Sequence, residues 1–152
     1  ESAREMYAQC QRYFGDSDIA IMSAAVADYA PAEVAEKKIK REKDEIPQIR
    51  LVKNPDIAAS LGKEKRPDQI LVGFALETND EKSNALDKLT RKNLDMIVMN
   101  SLRDAGAGFG TDTNKITVFT RDGASKEFPL KSKAEVACDI LDCIAGLPQN
   151  KK

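Results

Sequence analysis

Gln69-Ile70-Leu71-Val72-Gly73-Phe74-Ala75-Leu76, the charged stretch from Asp80 to Arg91, and Leu94-Asp95-Met96-Ile97-Val98-Met99 read together as strand, helix and strand. Both apolar runs are nearly continuous, the pattern of strands covered on two faces, as parallel sheets require. Working outward, Asp18 to Val26 is a further apolar run expected to be such a strand, and Ile49 to Val52 a short one. Asn54-Pro55-Asp56 predicts a helix to about Lys65, with Asn54 as N-cap and Pro55 at the first helical position. Upstream, Ser2-Ala3-Arg4-Glu5 has capping-box spacing and Ala3, Met6, Tyr7, Cys10, Tyr13 and Phe14 recur with helical period, so the chain opens in a helix. Downstream, Lys115 to Thr120 and Ser125 to Leu130 flank the turn signal Arg121-Asp122-Gly123-Ala124, which predicts a β-hairpin, and Lys131 to Ile144 reads as a closing helix. The expected fold is α/β, a mostly parallel sheet flanked by helices with a C-terminal β-hairpin. One domain is expected over 1–146, with a polar tail at 147–152.

The 152 residues are 41% hydrophobic, enough for one core that buries roughly two thirds of the unfolded chain's surface. Basic and acidic residues number 24 and 25, so no global field draws in nucleic acid or an anionic membrane. No run reaches transmembrane length, and the N-terminal residues are too charged for a signal peptide. A soluble, intracellular protein with neither nucleic acid nor membrane as partner is expected. The absence of histidine excludes a Ser-His-Asp triad, a Cys-His pair and a His-based zinc site. Cys10, Cys138 and Cys143 fit neither a disulfide framework nor a metal knuckle, and read as buried reduced thiols. Chemistry must then rest on Asp, Glu, Lys, Asn and backbone groups, acting on a ligand that carries its own reactivity. Phosphate esters and anhydrides meet that description.

Asp28 closes Ala24-Ala25-Val26-Ala27-Asp28-Tyr29, at the carboxyl end of a predicted strand, where α/β sheets bind ligands. There it can reach ribose hydroxyls or a metal, or simply start a turn. Lys37, Lys38, Lys40, Arg41 and Lys43, interleaved with Glu36, Glu42, Asp44 and Glu45, suit either a solvated loop or a flap that closes over phosphates. Asn54-Pro55-Asp56-Ile57 combines a strand end with a helix N-terminus, whose free N–H groups can hold an anion or the polar edge of a base. Lys88 and Lys92 share one helix face, so an anion or solvent must relieve their repulsion. Phe74 by default belongs to the core. Gly106-Ala107-Gly108-Phe109-Gly110 precedes a strand rather than a helix, a poor match to a dinucleotide fingerprint, and reads as a loop.

Six ordered blocks carry a family resemblance: Ala24–Tyr29; Lys38-Ile39-Lys40-Arg41; Val52-Lys53-Asn54-Pro55-Asp56-Ile57; Val72-Gly73-Phe74-Ala75-Leu76-Glu77-Thr78-Asn79; Lys92-Asn93-Leu94-Asp95; and Gly108-Phe109 with Asp112 and Asn114. Together they resemble the phosphopantothenate-cysteine ligase domain of the bacterial bifunctional coenzyme A biosynthesis flavoprotein. That resemblance implies a Rossmann-like, cytoplasmic, CTP-dependent ligase that uses Mg2+ and makes phosphopantothenoylcysteine from phosphopantothenate and cysteine through an acyl-cytidylate. It implies a homodimer in which the flap reaches the neighbouring site. It also implies that FMN, where it occurs, belongs to a fused decarboxylase domain outside this chain.

Carried over position by position, the resemblance assigns Met22, Ser23 and Ala24 to backbone contacts with the nucleotide and Asp28 to the nucleotide-binding acid. Lys38 is implied as the catalytic flap lysine on the phosphates. Pro55, Asp56, Ile57 and Ala58 are implied to read the base, Phe74 to be a nucleotide-site aromatic, and Lys88 and Lys92 to lie near the triphosphate. Metal ligands are not assigned. The family's first strand, glycine-rich turn and an asparagine that steadies the acyl-cytidylate would precede Glu1, so little or no ligase activity is expected of these residues alone. A nucleotide-binding or regulatory module without chemistry, a Rossmann-type oxidoreductase and a structural interaction domain are the other classes. CTP bound without pyrophosphate release would mark the first, and preference for nicotinamide or flavin the second.

Overall fold

The computed structural model describes residues 2–35, 37, 48–77, 80–101 and 110–148. Helix α1 (Ala3–Phe14) starts at the predicted capping box: Ser2 Oγ accepts from the Glu5 N–H, and the Glu5 carboxylate accepts from the Ser2 N–H. In chain order there follow β1 (Ile19–Met22), β2 (Tyr29–Pro31), β3 (Leu51–Lys53), α2 (Ile57–Glu64), β4 (Ile70–Glu77), α3 (Glu81–Arg91) and β5 (Met96–Ser101). The chain continues with β6 (Thr113–Asn114), β7 (Thr117–Thr120), β8 (Ser125–Glu127), β9 (Lys131–Ser132) and α4 (Lys133–Ala145).

The main sheet has the order β1-β4-β5-β7-β8. Strands β1, β4 and β5 are parallel, with Ile21 opposite Val72 and Phe74 opposite Val98, while β7 runs antiparallel to β5 and forms a hairpin with β8. The hairpin turn is the predicted one: Gly123 sits at φ +88°, where a side chain would be strained.

Residues of β4 and β5 alternate between two cores because a strand's side chains point to opposite faces in turn. Leu71, Ala75 and Ile97 pack with Phe14, Leu61 and Leu89 on the face that carries α1, α2 and α3. Val72, Met96 and Val98 pack with Phe128, Val136 and Ile140 on the face covered by α4. Both crossover helices, α2 and α3, lie on one face, as a common crossover hand requires when parallel strands are added in one direction. The double coverage expected of the central runs is therefore present.

Several expectations need correction. The run from Asp18 to Val26 is a strand only over Ile19–Met22, and its burial alternates, with Ile19 and Ile21 exposed. Among the described residues β1 pairs with β4 alone, so it is an edge strand rather than a buried one. The short strand near Ile49 to Val52 is β3, and it joins β2 in a separate antiparallel ribbon instead of the main sheet. Helix α2 begins later than predicted: Asp56, not Asn54, is the N-cap, its carboxylate accepting from the Ala59 N–H, which places Pro55 just before the helix. None of the cysteines is fully buried; Cys138 is exposed and Cys10 and Cys143 are half-buried, all as free thiols. Desolvation raises the Cys143 thiol above its ordinary value, with Asp139 and Asp142 adding to the rise against Lys126.

Candidate functional site

Two large cavities compete. One, of 620 Å³, lies at the amino ends of β1 and β4 and is rimmed by Asp18, Asp68, Asp95 and Asp122 with Arg121. The other, of 570 Å³, extends from the carboxyl end of β1 across β4 to α2 and α3 and carries Lys53, Lys88, Arg91 and Lys92 beside Asp28 and Asp56. Open parallel sheets bind ligands beyond the carboxyl ends of their strands, and cations rather than carboxylates suit a phosphorylated ligand. The second cavity is the candidate site despite its slightly smaller volume.

The wall nearest β1 is built where that strand ends. Met22 is its last residue and half-buried; the chain then loops through Ala24 to Asp28, all along the cavity, before entering β2. Asp28 is exposed, and its carboxylate makes no ion pair or hydrogen bond among the described residues, which leaves it available to a ligand's hydroxyls or a cation. Ser23 is exposed in the same loop but does not line the cavity. The β2–β3 ribbon ends at its outer side with Ala32 N–H donating to the Arg50 carbonyl and an Arg50–Glu33 ion pair of 2.8 Å. Lys38, expected as the flap lysine, lies outside the described residues, as do Lys40, Arg41, Thr78, Asn79, Gly108 and Phe109.

The start of α2 forms the second wall, with Pro55, Asp56, Ile57 and Ala58 all on the cavity. Asp56 has two tasks: it caps the helix through Ala59 and its other oxygen lies 3.0 Å from Lys92 Nζ. Burial pushes this carboxyl up, but the Ala59 N–H, the Lys92 ammonium and the charge of Arg91 outweigh it and hold the pKa below the ordinary aspartate value.

The third wall is the last turn of α3. Lys88 and Lys92 reach the cavity together as their spacing predicts, and Arg91 joins them. Their placement depends on a close helix contact. A Cβ at Gly62 would lie 1.9 Å from the Lys92 carbonyl oxygen, so only glycine lets α2 approach the turn after α3. Asn93, at φ +55°, fixes that turn from both sides: its Nδ2 donates to the Gly62 carbonyl at 2.6 Å and its Oδ1 accepts from Arg121 at 2.5 Å. Phe74, Gly73 and Leu76 of β4 supply the floor, so Phe74 serves both the cavity and the α4-side core.

The fold thus brings Met22, Ala24, Asp28, Pro55, Asp56, Ile57, Ala58, Phe74, Lys88 and Lys92 together on one cavity. Ser23 and Lys37 do not line it, and Lys38, Lys40, Arg41 and Lys43 lie outside the described residues. Sequence reasoning missed Arg91, although its position one helical turn after Lys88 was a signal, and Met6 of α1, which carried none. It also misjudged Asn54, a buried residue whose side chain turns toward the loop after β1 instead of capping α2.

No helix among the described residues is long and apolar enough to cross a membrane, and no group of three or more acidic, cysteine or histidine side chains there is arranged to hold a metal. A divalent ion that keeps most of its waters and binds through one carboxylate and the ligand's phosphates fits Asp28 in this cavity.

The profile of the family described as DFP, DNA/pantothenate metabolism flavoprotein C-terminal domain, matches residues 1–147. The coenzyme A biosynthesis bifunctional protein CoaBC of Bacillus subtilis (strain 168) is 45% identical over 147 residues, which are 97% of this chain and 36% of that protein. A cysteine/cysteine sulfinic acid decarboxylase from an unknown prokaryotic organism is 54% identical over 146 residues, 96% of this chain and 40% of that protein. The crystal structure of the C-terminal domain of a coenzyme A biosynthesis bifunctional protein CoaBC superposes with a TM-score of 0.75 at 37% identity, covering 95% of this chain and 61% of that one. The chain therefore spans about 40% or less of the two full-length relatives. The likeness to the solved domain agrees with the expected Rossmann-like fold.

Proposed function

Since the chain belongs to the DNA/pantothenate metabolism flavoprotein C-terminal domain family, we propose that it is the ligase domain for phosphopantothenate and cysteine in coenzyme A biosynthesis, driven by CTP. The observation that carries this reading is the cavity itself, which gathers Asp28, the α2 start, Phe74, and Lys88, Arg91 and Lys92 at the carboxyl end of β1.

In this reading the carboxylate of phosphopantothenate attacks the α-phosphorus of CTP, the bond to the β-phosphate breaks, and pyrophosphate leaves. The neutral amine of cysteine then attacks the acyl carbon of the acyl-cytidylate, the C–O bond to CMP breaks with CMP taking the electron pair, and an amide remains once the nitrogen has lost a proton to solvent. A free carboxylate does not react with an amine; cytidylation supplies the leaving group. Lys88, Arg91 and Lys92 neutralise charge on the polyphosphate, and Lys38 acts as the catalytic flap lysine. Asp28 orients the ribose. The N–H groups of the first turn of α2, with Pro55, Asp56, Ile57 and Ala58, read the base, and Phe74 packs against the nucleotide. Mg2+ bound with the nucleotide would supply further charge neutralisation on its phosphates.

A homodimer is part of the proposal: Tyr29, Val34, Ile49 and Leu51 are all more than half exposed on the β2–β3 ribbon and its extensions, an apolar surface that a partner would cover. FMN has no place in this chain under this reading and belongs to a separate decarboxylase domain. A cytoplasmic setting, where CTP and cysteine are available, goes with it.

A second reading is a nucleotide-binding module without ligation, since a relative 54% identical to this chain is named as a decarboxylase and not as a ligase. Calorimetric titration of CTP, ATP and nicotinamide or flavin cofactors with Mg2+, on this chain and its Lys38→Ala variant, tests both. CTP preferred over ATP, and weakened by the substitution, is the expected result. Tighter binding of a flavin or nicotinamide would overturn the proposal. Equal CTP binding by both proteins would remove Lys38 from it. Pyrophosphate release in the full-length protein separates ligase from module.

A further inference from the structure

We propose that Asn54 is a positioning residue that locks the Ala24–Asp28 loop to the start of α2 and so holds Asp28 in place for the nucleotide. This inference rests on the nucleotide reading of the cavity and adds a residue to it.

Asn54 grips two successive carbonyls of the loop. Its backbone N–H donates to the Asp28 carbonyl at 2.8 Å, and its side-chain Nδ2 donates to the Ala27 carbonyl at 2.8 Å. The first bond continues the β2–β3 ladder one pair beyond Tyr29 and Lys53. Pro55, next in the chain, carries no N–H, so the further donor at this turn comes from the Asn54 side chain. Past Pro55 stands Asp56, the α2 cap paired with Lys92. The connection from Asp28 through Asn54 to Lys92 therefore has a hydrogen bond or a stiff peptide at each step.

Asn54 is only 8% exposed, and its Oδ1 is buried with no hydrogen-bond partner among the described residues. An unpaired buried acceptor is destabilising and rare in native structures. A residue kept merely to fill space would not leave one, since an apolar side chain would pack there without the penalty. The amide is retained for its donor end, which faces the loop that carries Asp28.

Two variants distinguish positioning from packing. Asn54→Ala removes the donor together with the unpaired acceptor, so the two effects on stability oppose each other. Asn54→Asp keeps the volume but sets a carboxylate against the Ala27 carbonyl. Amide exchange at position 54 is measured without nucleotide, thermal midpoints are recorded, and CTP with Mg2+ is titrated into all three proteins. Expected are exchange at position 54 about tenfold faster and CTP affinity about tenfold weaker in both variants, the scale of one hydrogen bond. The midpoint of Asn54→Ala should stay within about 4 °C of the parent.

Unchanged exchange in both variants overturns the inference whatever happens to binding. Full CTP affinity in Asn54→Asp likewise overturns it, because volume would then suffice. A fall of both midpoints by about 10 °C or more alongside the lost affinity assigns Asn54 to the core and also overturns it. If the parent binds no CTP while exchange accelerates as expected, the tie between loop and helix stands and the nucleotide reading of the cavity falls.

Discussion

Lys92 Nζ lies 3.0 Å from one carboxylate oxygen of Asp56 and 3.1 Å from the other, joining the turn after α3 to the first turn of α2 across the candidate site. The carboxylate occupies a place beside Lys92 that an anionic ligand would share. Asp56→Asn keeps a capping oxygen and removes the competing charge. A unit charge a few ångströms away contributes about 1–4 kcal/mol at the dielectric of a partly exposed site, more than the roughly 1 kcal/mol of order the pair provides. Inorganic pyrophosphate should therefore bind Asp56→Asn several-fold more tightly, by calorimetry, while stability falls by no more than about 1 kcal/mol. Weaker binding would show that Asp56 positions Lys92 rather than competing for it.

The same pair has a defined pH dependence. Asp56 has a folded-state pKa below its ordinary value of 3.8, so its ionised form favours the folded state. That contribution is complete above the ordinary value and is lost as pH falls through the lower, folded one. Carboxyl titration by NMR should place the Asp56 midpoint below the ordinary aspartate value of 3.8. Lys92→Ala should move its midpoint upward.

If the cavity holds CTP as proposed, Lys88→Ala and Lys92→Ala should each weaken its binding by about tenfold and lower the salt dependence, because each removes a cation from the cavity wall. Affinity unchanged from the parent in both variants would place the phosphates elsewhere.

Gly62→Ala tests the geometry behind that wall. The new Cβ meets backbone, the Lys92 carbonyl, which cannot swing away as a side-chain tip would. A loss of about 1–3 kcal/mol in denaturant unfolding is expected, with reduced nucleotide affinity because the Lys92 turn must move. Unchanged stability would contradict the close helix contact.

Lys65 and Asp95 pair at 2.6 Å with side chains 7% and 23% exposed, and Asp95 also accepts from the Leu71 N–H at 2.7 Å. Asp95→Ala leaves a buried ammonium without its partner and should cost about 3 kcal/mol. Asp87→Ala, which breaks the exposed pair with Arg91, should cost no more than about 0.5 kcal/mol.

What the sequence determined by itself was set by local pattern. Nearly continuous apolar runs over Gln69 to Leu76 and Leu94 to Met99 identified the doubly covered parallel strands, the Ser2–Glu5 box and Gly123 marked a helix start and a turn, and ordered blocks placed the candidate residues in sequence. These signals survive because backbone sterics and side-chain periodicity act over a few residues. Tertiary structure alone decided the rest. Ile19 and Ile21 look buried in sequence, yet β1 has a neighbour on one side only among the described residues, and pairing between distant segments is not written in either one. Asn54 and Asp56 both suit an N-cap; the Ala27 carbonyl took the first and left the helix to the second. Asp56 met Lys92 only because Gly62 lets α2 and the turn after α3 close to a distance that no local preference specifies.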